Sequence, residues 1–250
     1  MNSEQPSTPD LQYNWAPGED PKTAKEIDAF FRSPEIERLK ELICDLGRRL
    51  WQKEYVDGNG GNFTVRVGDN LILCTPTMIS KGFMTPEDMC LVDMEGEQLA
   101  GVRKRTSEVL THIGIMKRQP AAKACCHAHP PTATGFAIAG AAPDRLLTPE
   151  SEVFVGEIGM AEFRMPGSPE CSDVVGRLGV DHVAVFMGNH GVITRGKSLE
   201  MAYWRQEVVE ALCRSYLVAR DVKTGGKIPQ ISGESAEKMA RSHKYVSENL

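Results

Sequence analysis

The sequence predicts a single α/β domain built on a mostly antiparallel sheet with helices packed against it. Three observations predict it. Apolar residues switch along the chain between a three-to-four spacing and a spacing of two, short Gly/Asn/Asp turns join several strand-like runs, and no internal repeat or long linker follows residue 33.

Residues 1 to 22 are rich in Pro, Ser, Asn, Asp and Gly around a lone Trp15 and read as a flexible tail, leaving residues 23–250 as the domain. Thr23-x-x-Glu26 has capping-box form and opens a short helix with Ile27, Phe30 and Phe31 on one side. That stripe is open to two readings, packing on its own subunit or docking on a partner. Ser33-Pro34 restarts the chain as a helix to about Gln52, with Ile36, Leu39, Ile43, Leu46 and Leu50 in one stripe. After Asp57-Gly58-Asn59-Gly60-Gly61 the period becomes two. Phe63, Val65 and Val67 form one arm of a hairpin, Gly68-Asp69-Asn70 turns the chain, and residues 71–75 form the other. Residues 89–94 read as a further strand closed by Glu95-Gly96. Thr106 or Ser107 N-caps a helix to about Arg118, and residues 124–128 read as a buried strand. Residues 131–139 are helical, 160–165 a short strand, and 183–187 and 192–194 two strands joined by Gly188-Asn189-His190-Gly191. Ser198 caps the longest helix, to about Arg220.

Composition narrows the function class. With 250 residues, 41% hydrophobic, the chain buries a substantial core, and 29 basic against 34 acidic residues give a net charge of −5 and no electrostatic footprint for nucleic acid. No apolar run approaches the ~18 residues of a membrane span, and MNSEQPSTPD lacks the basic and apolar regions of a signal peptide, so a soluble cytoplasmic protein is expected. Seven scattered cysteines without a CxxC argue for reduced core thiols.

The chemistry concentrates in a few motifs. His127-Ala128-His129 places two imidazoles on one face at a strand end, the geometry a metal ion requires, although such a pair also occurs as hydrogen-bonded structural histidines. His190, in its Gly-Asn-His-Gly turn, adds a third candidate, and three imidazoles leave a coordination position open. Glu108 falls in the first turn of a predicted helix, complementing its dipole or poised for acid/base work beside the anion-binding start Thr106-Ser107. Gly60-Gly61-Asn62 reads as an anion loop or an ordinary helix-to-strand turn, and Thr75-Pro76-Thr77 offers further hydroxyls.

Taken in order, Gly60-Gly61-Asn62, Thr75-Pro76-Thr77, Thr106-Ser107-Glu108, His127-Ala128-His129 and Asn189-His190-Gly191 resemble the class II aldolase/adducin family over about residues 36–235. The resemblance implies a three-layer α/β/α fold and a homotetramer with sites near subunit interfaces. It also implies a divalent metal, zinc foremost with manganese and cobalt as alternatives, on His127, His129 and His190. It gives Glu108 the acid/base role, phosphate contacts to Gly61, Asn62, Thr77, Thr106 and Ser107, and Tyr245 a catalytic role at a neighbouring subunit's site. The implied reaction is cleavage of a ketose 1-phosphate of the L-fuculose or L-rhamnulose type to dihydroxyacetone phosphate and an aldehyde, through an enediolate that the metal stabilises.

The sequence departs from the family pattern at Met78, where a glycine is common, and at Ser80-Lys81-Gly82. Lys81 reads either as a solvated loop lysine or as a contact to phosphate or carboxylate, and Glu152 as a residue that lines the site and sets specificity. Decarboxylation, epimerisation or dehydration at the same metal site, and a non-catalytic adducin-like module, are the alternatives. His112, His182 and His243 match no motif and are assigned structural or surface roles.

Overall fold

The computed structural model describes residues 13–223 and 226–249. Its helices are α1 (Ala24–Phe31), α2 (Pro34–Gln52), α3 (Val109–Arg118), α4 (Pro131–Ala139), α5 (Pro149–Phe154), α6 (Pro169–Asp181), α7 (Leu199–Val222) and α8 (Gly233–Asn249). Its strands are β1 (Asn62–Arg66), β2 (Leu71–Cys74), β3 (Cys90–Asp93), β4 (Gln98–Ala100), β5 (Ala124–Ala128), β6 (Gly159–Ala161), β7 (Ala184–Met187) and β8 (Gly191–Gly196). The eight strands form one sheet in the order β4-β3-β2-β1-β5-β8-β7-β6. Every neighbouring pair is antiparallel except β6 and β7, which run parallel, so the sheet is mixed.

The two-residue period of β2 divides it between two buried clusters. Leu71 and Leu73 pack with Ile36, Ile43, Leu46 and Leu50 of α2, while Ile72 and Cys74 pack with Val109 and Ile113 of α3 and with Cys171 and Val175 of α6. All seven cysteines are free thiols buried in the core. Among the described residues no helix is long and apolar enough to cross a membrane.

Several expectations need correction. Residues 13–22 of the expected flexible tail are tied to the β1–β2 turn, while residues 1–12 lie outside the described residues. Trp15 Nε1 and the Gly18 amide donate to the Asp69 carboxylate at 2.9 and 2.6 Å, and Asp20 accepts from the amides of Asp69 and Asn70. The Lys123 ammonium stands 4.3 Å from the Trp15 ring centroid. Composition marks this stretch as disordered because its tertiary anchor, Asp69, is some fifty residues away. The capping box of α1 forms, but the helix packs within its own subunit: Phe31 is buried under the Lys40 ammonium, and Ile27 and Phe30 pack on the core, so docking on a partner gives way to internal packing.

Strand β4 and helices α5, α6 and α8 add to the elements expected: β4 and α5 are only three and six residues long, whereas α6 carries Cys171, Val174, Val175 and Leu178 at a helical spacing that the sequence does display. The α3 helix begins later than its hydroxyls suggest. Residues 104–106 run alongside Thr75-Pro76-Thr77, through Thr77 N to Lys104 O at 2.9 Å and Thr106 N to Thr75 O at 3.0 Å, and Glu108 becomes the N-cap residue without capping through its side chain.

Candidate active site

One rim of the sheet gathers the chemistry. It is formed by the start of β1, the loop after β2, the end of β5, the β7–β8 turn and the N-terminus of α3. His127, one residue from the end of β5, pairs in register with Asn62 on β1 and Ile193 on β8. His129 follows the strand, held by its amide to Tyr55 O at 2.8 Å. His190 sits in the β7–β8 turn, where Asn189 takes a φ of 54°. Gly191 is required sterically, since a Cβ there would lie 2.6 Å from His129 Cδ2, 2.7 Å from Ala128 O and 3.2 Å from His127 Cε1.

The three imidazoles offer ligand nitrogens within 4.8 Å of one another. Their hydrogen bonds define what those nitrogens carry. His127 Nδ1 donates to Val192 O at 2.9 Å and His129 Nδ1 donates to Asp57 Oδ1 at 2.6 Å, because a carbonyl and a carboxylate only accept. In the neutral rings both Nε2 atoms are therefore bare lone pairs, and they face each other at 3.0 Å. Two converging lone pairs with no proton between them fit a cation, and the oriented Nδ1–H groups are the support that metal-binding histidines use. Burial first, and the neighbouring imidazoles second, hold His127 well below the usual imidazole range and push His190 down to about 4, so both are neutral near pH 7. His190 Nδ1 is buried without a hydrogen-bond partner among the described residues.

Glu108 stands against this cluster, 3.5 Å from His127 Nε2 and 3.9 Å from His190 Nε2. Burial raises its carboxyl to about 7, against a hydrogen bond from Asn62 and the charge of Lys81. On its other side a cleft of about 200 Å³ is lined by residues 59–62, Pro76, Thr77, Lys81 and residues 106–108. All five residues expected to contact phosphate (Gly61, Asn62, Thr77, Thr106 and Ser107) line it together with Glu108. Gly61, at a φ of 74°, has no room for a side chain between Val56 and His127 O.

The remaining candidates separate. Lys81 is 1% exposed, not a solvated loop lysine, and burial pulls its ammonium down to about 8 against the charge of Glu108. Met78, at a φ of 57°, occupies the left-handed conformation in which glycine is at ease, and its sulfur lies 3.3 Å from Asn59 Nδ2. Glu152 does not join the cleft. Buried to 1% exposure, it accepts from Arg145 and from the Leu146 amide in a separate cleft between α5 and the segment before it. Tyr245 is 60% exposed on α8, which packs against α5. His112, His182 and His243 bond to Thr64 Oγ1, Glu157 O and Val153 O. Asp57 is the site residue that sequence reasoning missed. It lies in a Gly/Asn-rich turn that is read for its backbone, and only the fold brings it to His129.

The family model described as the class II aldolase and adducin N-terminal domain matches residues 41–217. The chain is 35% identical over 184 residues to an L-fuculose phosphate aldolase of Methanococcus maripaludis, covering 72% of this chain and 96% of that one. It is 30% identical over 188 residues to a 3-oxo-tetronate 4-phosphate decarboxylase of Haemophilus influenzae, covering 74% of this chain and 89% of the decarboxylase. Among solved structures, an L-fuculose 1-phosphate aldolase superposes with a TM-score of 0.72 at 25% identity, covering 85% of this chain and 97% of that chain.

Proposed function

The chain belongs to the class II aldolase and adducin family, and we propose that it cleaves a ketose 1-phosphate of the L-fuculose or L-rhamnulose type into dihydroxyacetone phosphate and an aldehyde. It is an enzyme of the lyase class. The observation that carries the reading is the adjacency of two features: bare imidazole nitrogens converging at 3.0 Å on one side of Glu108, and a hydroxyl-rich anion cleft on the other.

A divalent cation, zinc foremost with manganese and cobalt as alternatives, would be held by His127, His129 and His190 and would supply Lewis-acid charge for the negative charge that develops on substrate oxygens. The chain's own residues do the rest. The Thr77, Thr106 and Ser107 hydroxyls, with Gly61 and Asn62, would anchor the phosphoryl group and present the sugar carbons to Glu108. In the metal-free chain burial raises the Glu108 carboxyl to about 7, so its protonated form is available to act as an acid and its carboxylate as a base. In cleavage the C3–C4 bond breaks as the C4 hydroxyl gives its proton to solvent water, and protonated Glu108 delivers its proton to C3 and is reprotonated from solvent. In condensation the Glu108 carboxylate removes that proton. This reading assigns Tyr245 to a neighbouring subunit's site in a homotetramer, with three-layer α/β/α subunits acting in carbohydrate metabolism in the cytoplasm.

The similarity to the tetronate-phosphate decarboxylase favours one second reading, in which the same charge-stabilising site releases carbon dioxide from a phosphorylated 3-oxo acid. Metal-loaded protein incubated with L-fuculose 1-phosphate, L-rhamnulose 1-phosphate or 3-oxo-tetronate 4-phosphate separates the two. Dihydroxyacetone phosphate from either ketose supports the aldolase. Carbon dioxide from the 3-oxo acid, with no cleavage of the ketoses, supports the decarboxylase and overturns it.

A further inference from the structure

Among the described residues lining the cleft beside Glu108, Lys81 is the one cationic side chain. Its ammonium donates to Asn59 O at 2.9 Å and to Ile79 O at 2.7 Å. Those carbonyls belong to two different loops, the glycine-rich turn before β1 and the segment after β2, and the same two loops contribute Gly61, Asn62 and Thr77 to the cleft. An ammonium carries three donors, so one remains beyond these two bonds.

Glu108, the acid in the cleft, acts on this charge from a distance but lies against His127 and His190, and among the described residues Lys81 forms no contact ion pair. A lysine head group taken almost wholly out of water, hydrogen-bonded only to neutral carbonyls and with no carboxylate in contact, has a donor and a positive charge to offer an anion. Its surroundings are rich in donors: the hydroxyls of Thr77, Thr106 and Ser107 and the backbone of the Gly60-Gly61 turn. Such a set receives an anion.

We propose that Lys81 is an anion-binding residue of this cleft, neutralising the phosphoryl group of the substrate with its third N–H while its other two clamp together the loops that hold that group. The inference rests on the reading of the substrate as phosphorylated. A lysine serving only as a loop staple would matter to stability and not to anion affinity.

Calorimetric titration of the full-length chain with inorganic phosphate, comparing wild type with Lys81→Met, tests it. Wild type is expected to bind phosphate and Lys81→Met to bind it about tenfold to a hundredfold more weakly, with substrate KM rising more than kcat falls. Equal phosphate affinity in a folded Lys81→Met overturns the role of Lys81 and leaves the phosphorylated-substrate reading standing. Failure of wild type to bind phosphate overturns both. Should Lys81→Met not fold, a structure of the wild-type chain with inorganic phosphate decides: an oxygen within hydrogen-bond reach of Lys81 Nζ supports the role, and one outside it overturns it.

Discussion

His129 donates from Nδ1 to Asp57 Oδ1 at 2.6 Å across 72 residues of sequence. This bond fixes the ring so that Nε2 faces the cluster, and it holds the Asp57 carboxyl below its ordinary value. Removing such a support typically weakens metal affinity about tenfold to a hundredfold. Asp57→Ala is expected to show that loss in a zinc competition against a chelator of known affinity. Its thermal unfolding should stay close to wild type, because the Asp57 side chain is 80% exposed.

Gly191 is where the β7–β8 turn yields space to two imidazoles. In Gly191→Ala the new methyl would lie 2.6 Å from His129 Cδ2 and 2.7 Å from Ala128 O, so the backbone or both rings must move. The expected outcome is a loss of metal uptake together with a destabilisation on the order of 1–3 kcal/mol, measured by denaturant unfolding. Native metal affinity in this variant would contradict the placement of the histidines.

Glu108 couples function to stability. Its folded carboxyl stands near 7 against an ordinary value of 4.5, so folding favours the protonated form. That contribution is complete below the ordinary value and is lost as pH rises through 7. Glu108→Gln is therefore expected to make the metal-free protein more stable than wild type at pH 8, by about 2–3 kcal/mol. The same variant, loaded with metal, should lose about a hundredfold or more in kcat.

His112 sets an acid limit. Fully buried, with Nδ1 bonded to Thr64 Oγ1 at 2.9 Å, it is pushed by burial down to about 3. The unfolded chain takes up this proton first, so stability falls as pH drops below the ordinary imidazole value of 6.5 and levels off near 3. His112→Asn is expected to flatten that slope by a few kcal/mol across the interval, measured by unfolding at stepped pH.

The sequence is most informative where function depends on residue type and local spacing. His127 and His129 share a strand face by period, the Gly-Asn-His-Gly turn advertises His190, and the glycines and hydroxyls of the cleft lie in short collinear motifs. It is least informative where a role depends on a distant partner. Asp57 acquires its role from His129, Trp15 its anchor from Asp69, and Lys81 its burial from two loops that meet only in the fold. Glu152 shows the reverse: its position in the chain suggests the active site, and the ion pair to Arg145 takes it elsewhere.

The proposed chemistry depends on a metal held by His127, His129 and His190. Metal content per chain, measured on purified wild type and His127→Ala after equilibration with zinc, manganese or cobalt, tests it most directly. The predicted result is one ion per wild-type chain and none in a His127→Ala protein that stays folded. Wild type that takes up none of the three metals, or His127→Ala that binds as wild type does, would contradict it.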